Sequence, residues 1–230
     1  MALTGNAFLA IWHDIAAGAH DEYIEWHTRE HMPERLSIPG FTVGKRLHNP
    51  GLGRHVFGTI YAGDEVEVFR SPAYLERLNN PTPWTAAVAP SFQNFLRVAC
   101  DRLASRGRGD GGSMATLRLD HAGADSAERL RAGAGDIAER ILALRGVSAV
   151  HVGAARSEVC GTPTRETELR APMAEKGFDA VILIEGASRP GLEAAMAAAT
   201  AIAAEGGALV RPEGAVYDAA YTLTAAQMAR

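Results

Sequence analysis

His27 and His31 stand one helical turn apart in a stretch that also holds Tyr23, Trp26 and Glu30. Positions i and i+4 of a helix share a face, so both imidazoles and the Tyr23 phenol fall on one line, flanked by Trp26 and Glu30. A neutral imidazole takes up a proton near neutral pH, and its conjugate acid gives it back. The spacing therefore predicts an acid–base cluster of His27, Glu30, His31 and Tyr23 facing a pocket, with Trp26 against the substrate. The opposing reading is a surface helix whose His and Glu side chains are solvated. His27-x-x-Glu30-His31 also carries the inverted zinc-protease pattern, because two histidines at this spacing can hold one metal. Such an enzyme needs a third ligand from a distant helix, and Pro33 suits a long ligand helix poorly.

Further polar groups fall on predicted strands. Alternation places Arg46 with His48, and His55 with Phe57, Thr59 and Tyr61. Arg46, Thr59, Tyr61 and Arg97 are the groups able to fix a carboxylate or a phenol. His48 and His55 bracket a turn, Asn49-Pro50-Gly51-Leu52-Gly53, and read as an exposed hairpin tip. That turn lacks the lysine and the following helix of a phosphate loop. Trp84 reads as core or as a pocket lid. Cys100 and Cys160 are too far apart to form a metal motif, which suggests a reduced, cytoplasmic protein.

The elements that must position these groups follow a simple order. A strand over 7–12 leads into a helix over 21–36, with either a kink or a short second helical piece beginning with Pro33 near its first turn, and a stop at Pro39-Gly40. Strands over 41–48 and 55–61 form a hairpin. A helix over 71–78 follows, then a helical turn or loop over 82–89. Positions 93–101 read as a fourth strand or a short helix. A Gly-rich linker covers 105–113, and the pattern then restarts. Strands are predicted over 115–120, 147–152, 178–185 and 215–223, with helices over 126–144 and 190–204. The stretch 156–176 reads as a long polar insertion. Glu34-Arg35-Leu36 before Gly40 resembles Glu139-Arg140-Ile141 before Gly146, which supports an internal duplication.

A β-α-β-β-α-β unit is a four-stranded antiparallel sheet with both helices on one face. The expected fold is thus α+β: tandem ferredoxin-like units, over 1–104 and 114–230, closing into an intrachain pseudo-dimeric α+β barrel. Two such units can cover each other's bare sheet faces, and the pocket is expected between the sheets. The chain has 230 residues and a formal charge of −4 with no basic patch, which argues against nucleic acid as a partner. It has no apolar run long enough for a membrane span, and no basic-then-apolar leader begins at Met1-Ala2.

The form aromatic-x-x-Trp-His-x-x-Glu-His-x-Pro, from Tyr23 to Pro33 and on to Pro39-Gly40-Phe41, resembles the EthD-like members of the dimeric α+β-barrel superfamily. Relatives in that superfamily include antibiotic-biosynthesis monooxygenases, muconolactone isomerases and chlorite dismutase-like haem proteins. The resemblance implies a small-molecule enzyme acting on an organic acid, phenol or polyketide-like compound, as an isomerase, lyase or cofactor-free oxygenase. It singles out His31 as the acid/base, with Glu30 or Tyr23 orienting it and Arg46 binding a substrate anion. His27 matches a position that is often aromatic in such proteins. The second half has neither His nor Trp in the matching region, so one competent half and one structural half are expected. No cofactor is predicted; haem or a metal, and a non-catalytic ligand-binding barrel, are the alternatives. The implied partners are a small molecule and a second copy of the chain.

Overall fold

The computed structural model describes residues 3–170, 172, 176–205, 208–211 and 214–228. Met1 and Ala2, and positions 171 and 173–175 of the expected insertion, lie outside the described residues. The chain divides into two compact units. The first comprises Thr4–Ala99, Arg156–Gly177 and Ala220–Arg230, and the second comprises Met1–Leu3, Cys100–Ala155 and Phe178–Ala219.

In the first unit, β1 (Ala7–Ile15) pairs antiparallel with β3 (Phe57–Gly63), setting Ile11 opposite Thr59 and Leu9 opposite Tyr61. β2 (Phe41–His48) pairs with the other edge of β3. The first half of β4 (Phe92–Gly107) lies beside β1, giving the ferredoxin-like order β4-β1-β3-β2. Alternate residues of these strands turn toward the helices. Ala7, Leu9 and Tyr61 pack with Met32, Leu36, Phe41, Phe69, Tyr74 and Leu78. A smaller cluster of Ile15, Tyr23, Trp26, Phe57 and Val88 lies beside them.

The expected helix over 21–36 is built in three parts. They are α1 (His20–Trp26), a π-helical turn (His27–His31) and α2 (Met32–Leu36). The second of the two expected forms is present: Pro33 stands in the first turn of a short second helical piece, and the irregularity precedes it. Pro33 has no N–H to give the carbonyl four residues back. The chain widens first, with the Met32 N–H donating to the His27 carbonyl, and Pro33 then occupies the opening turn of α2. Gly40 takes φ +92° in the turn directly before β2, a conformation that glycine adopts at no steric cost. Ser71 caps α3 (Pro72–Asn79), accepting from the Tyr74 N–H at 3.2 Å. Thr82 likewise caps α4 (Pro83–Val88), accepting from the Thr85 N–H at 3.0 Å, so of the helical turn or loop expected over 82–89 the helical form is present.

In the second unit, β5 (Ser113–His121), β6 (Val147–Ala155), β7 (Ala180–Gly186) and β9 (Ala215–Thr224) take the order β9-β5-β7-β6. This repeats the order of the first unit. A short strand, β8 (Ala208–Val210), also pairs with β5. α5 (Ser126–Leu142) and α7 (Arg189–Glu205) bury Leu130, Ile137, Ile141, Leu192 and Ala199 against Leu117, Val150, Val152, Ile182 and Ile184. Each large aliphatic side chain so buried contributes about 1.5–3 kcal/mol. Gly146 takes φ +88° at the helix exit, as Gly40 does in the other unit. β4 continues past the expected start of the linker, because Ser105 and Arg106 pair with His151 and Val150 of β6. Among the described residues no helix is long and apolar enough to cross a membrane.

Candidate functional site

The first unit encloses a cavity between one face of its sheet and its own helices. The space open to the centre of a water molecule there is about 40 Å³. The expected pocket between two sheets is thus not where this cavity lies. Its sheet wall carries Ile11 and His13 from β1, Thr59 and Tyr61 from β3, and Phe95 and Arg97 from β4. Its helix wall carries Trp26, His27, His31 and Arg35. Tyr74, Thr85, Phe92, Glu166 and Arg170 complete the lining, with Glu166 on α6 (Arg165–Leu169) and Arg170 just after it.

The π-helical turn explains why His27, His31 and Arg35 all face inward. In an α-helix, residues four apart overshoot one turn by roughly 40°, so a third member at i+8 drifts off the face. A π-helical turn takes more residues per revolution and cancels part of that drift.

Both helix imidazoles are buried, His27 at 3% and His31 at 8% exposure. Their rings lie 5.6 Å apart, and His31 stacks 4.3 Å from Trp26. His27 Nε2 is 3.5 Å from the Tyr61 hydroxyl, while Nδ1 of both residues is buried with no hydrogen-bond partner. A buried polar atom left unpaired costs about 1–3 kcal/mol. Burial holds both imidazoles well below the usual histidine pKa, helped by the Arg46 guanidinium near His27 and the Arg35 guanidinium near His31. His13 is pulled down to about 3, chiefly by burial. Its Nε2 meets the Tyr23 hydroxyl at 3.1 Å and its Nδ1 meets the Asp14 carbonyl at 3.4 Å. A neutral ring with its proton on Nδ1 satisfies both contacts, with Tyr23 donating. Burial pushes the Tyr23 and Tyr61 phenols up. The site therefore presents neutral imidazoles and neutral phenols.

Its charge comes from guanidiniums. Arg35 is 2% exposed and donates to Glu34 Oε2 at 2.9 Å and to Glu166 Oε2 at 2.5 Å. Arg97 donates to the Tyr74 hydroxyl at 3.5 Å and the Cys160 carbonyl at 3.4 Å. Arg170 lies 3.7 Å over the Phe95 ring, and burial with the nearby Arg97 charge pulls its pKa down to about 10.

Of the residues singled out from the sequence, His27, His31, Trp26, Thr59, Tyr61 and Arg97 line the cavity. Three do not. Tyr23 lies behind His13. Glu30 turns away and accepts from the Thr82 hydroxyl at 2.5 Å and the Thr85 hydroxyl at 3.3 Å. Arg46 donates to the Ile24 carbonyl and to Thr28 Oγ1, at 3.2 and 2.8 Å. His48 and His55 do not form an exposed tip. His48 stacks 4.5 Å from Phe57, and His55 is 4% exposed with Nε2 on the Asn94 carbonyl at 2.9 Å. Trp84 is half-buried and donates to Glu22 at 2.6 Å. His13, Arg35, Glu166 and Arg170 are members that the sequence reading did not assign to the site. Arg35 had a signal, the 27–31–35 spacing; Glu166 and Arg170 had none.

Among the described residues no three His, Cys, Asp or Glu side chains come together to hold a metal ion. His27, His31 and Trp26 pack ring against ring on the cavity wall.

No family model matches the chain, and no curated protein matches it. Solved structures do resemble it. An anthrone oxidase-like protein shares 12% identity at a TM-score of 0.63, over 95% of this chain and 92% of that one. A chlorite dismutase variant from Candidatus Nitrospira defluvii, in complex with cyanide, shares 9% at 0.56, over 98% and 95%. A monooxygenase, so described provisionally, from Fusobacterium nucleatum shares 9% at 0.55, over 96% and 97%. At these identities the likeness is one of fold. The fold that they share with this chain is a ferredoxin-like α+β fold.

Proposed function

We propose that the chain is a small-molecule enzyme in which His31 removes a proton from a phenolic or polyketide-like substrate, and the resulting anion reacts with O₂ without a cofactor. The observation that carries this reading is the pair of buried imidazoles held neutral on the cavity wall, each with an unpartnered Nδ1. A base must be unprotonated to act, and burial keeps these two unprotonated. The resemblance of Trp26 to Pro33 to EthD-like proteins supports the same reading. So does the likeness in fold to proteins described as anthrone oxidase-like and as monooxygenases.

For a substrate with an acidic CH₂ beside an aromatic ring, His31 takes one proton and leaves a carbanion. The carbanion gives one electron to O₂, and the two radicals combine into a peroxide anion. The imidazolium returns its proton to the outer oxygen. Loss of water then leaves a ketone, so that CH₂ and O₂ become C=O and H₂O. Guanidiniums on the wall stabilise the anion in surroundings that exclude bulk water. His27 sits beside His31, with its Nε2 3.5 Å from the Tyr61 hydroxyl.

The test is oxygen uptake with a panel of phenols and aryl ketones, repeated with His31→Asn. Turnover that falls at least a hundredfold in the variant, with an unchanged circular dichroism spectrum, supports the reading. A substrate turned over equally well by His31→Asn sinks it, and tight binding without turnover makes the protein a ligand-binding one.

A further inference from the structure

His31 Nδ1 is buried with no hydrogen-bond partner, so no bond at that nitrogen sets the rotation of the ring. Packing must set it instead. The Trp26 indole lies 4.3 Å from the imidazole at a tilt of 36°, closer than His27 at 5.6 Å. The indole is itself anchored, because its Nε1–H donates to Thr85 Oγ1 at 3.2 Å. Thr85 lies on α4, is 2% exposed and lines the same cavity.

The direction of these bonds follows from the groups involved. An indole N–H only donates, a carboxylate only accepts, and a hydroxyl has a single proton to give. Thr85 therefore accepts from Trp26 and donates to Glu30 Oε1, at 3.3 Å. The Thr82 hydroxyl donates to the same oxygen at 2.5 Å. Trp26 and Glu30 flank the helical turn before His31, and both reach across to the one hydroxyl on α4. The bonds thus close a loop that starts and ends on the helix carrying the imidazole.

We propose that Thr85 is a positioning residue for His31: it anchors the Trp26 indole, and the indole sets the plane of the imidazole. This rests on the reading of His31 as the base for its effect on rate, whereas the orientation of the ring is observable without turnover. A base turned off its line loses rate in the chemical step more than in substrate binding.

The test uses the full chain and Thr85→Val, which keeps the shape and removes the hydroxyl. The His31 ring-proton resonances, assigned by their loss in His31→Asn, should shift in Thr85→Val and return in Thr85→Ser. With a substrate from the panel, Thr85→Val should lower kcat about tenfold with KM within about twofold, and Thr85→Ser should recover most of the rate. Trp26→Phe removes the indole N–H, so adding Thr85→Val to it should change kcat by less than about twofold more. If Thr85→Val does not fold, Thr85→Ala removes the same hydroxyl and replaces it in each measurement. His31 resonances that stay in place in the folded variant overturn the proposal whatever the rate. So does a loss in kcat that adds in full to that of Trp26→Phe. Turnover that survives in His31→Asn sinks the base and not the orientation, which the resonances report by themselves.

Discussion

The Glu166 carboxylate accepts a hydrogen bond from the Arg35 guanidinium at 2.5 Å, across 131 positions of sequence. Arg35 arises from the helix that also presents His27 and His31, and Glu166 from the stretch inserted between β6 and β7. The ion pair thus ties that stretch to the cavity wall. Both side chains are largely buried, at 2% and 18% exposure. Breaking a buried pair by removing one partner costs about 3–5 kcal/mol, but Glu34 stays on Arg35. Glu166→Gln should therefore lower the unfolding free energy by about 1–3 kcal/mol. Urea denaturation followed by circular dichroism reads this directly, and an unchanged midpoint would show that the pair is idle.

Acid should destabilise the fold through its buried imidazoles. In the unfolded chain they titrate near the ordinary histidine value of about 6.5, whereas burial in the folded chain pulls His13 down to about 3 and His27 and His31 well below 6.5. Between those values the unfolded chain binds protons that the folded chain does not. Stability therefore falls as pH drops below about 6.5, by up to ~1.4 kcal/mol per pH unit for each histidine. Urea midpoints at pH 7.5, 6 and 5 should decline steadily, and His13→Gln should flatten the slope by about one proton. A slope equal in the two proteins would mean that His13 is protonated in the fold.

How much of this was legible in the sequence depends on how local each contact is. His27, His31 and Trp26 share one helical segment, so spacing alone brought them together. The order of both units could be read because Gly40 and Gly146 each stand between a helix and a strand, and because 41–48 alternates as a strand does. Tyr23 does continue the line, with its ring 5.4 Å from His27, but its hydroxyl goes to His13, a β1 contact that spacing within the helix does not encode. Glu30 left the line because Thr82 and Thr85 offered it hydroxyls from α4, a contact that no spacing within the first helix encodes. Glu166 and Arg170 were unreadable for a related reason. Polar residues in a long connection look like a solvated insertion until tertiary structure folds them over a cavity.

The two helix imidazoles should differ in their effect on turnover. His31 has its Nδ1 unpartnered and its ring against Trp26, whereas His27 already meets Tyr61 through Nε2. A lost general base costs about 10²–10⁴ in rate. His31→Asn should lose that much in kcat, while His27→Asn should lose about tenfold, since it disturbs the neighbour and not the base. Steady-state oxygen uptake with any substrate found in the panel measures both. The reverse ranking would move the base to His27.

The duplicated helix exits make a prediction about stability that needs no ligand. Gly40 and Gly146 both sit at positive φ, +92° and +88°, where a side chain is strained by about 1–2 kcal/mol. Their surroundings differ. A Cβ on Gly40 would lie 2.6 Å from Val68 Cγ2, which cannot retreat freely because Val68 is packed against the first unit's core. A Cβ on Gly146 would meet only the Gly191 backbone at 3.4 Å, an ordinary contact. Gly146→Ala should therefore show the backbone strain alone. Gly40→Ala should add an overpacking cost of about 1–3 kcal/mol to it. Urea melts of the two variants should rank Gly40→Ala as the less stable. Equal losses would mean that Val68 yields to the added methyl, and that the turn feeding β2 is looser than the contact implies.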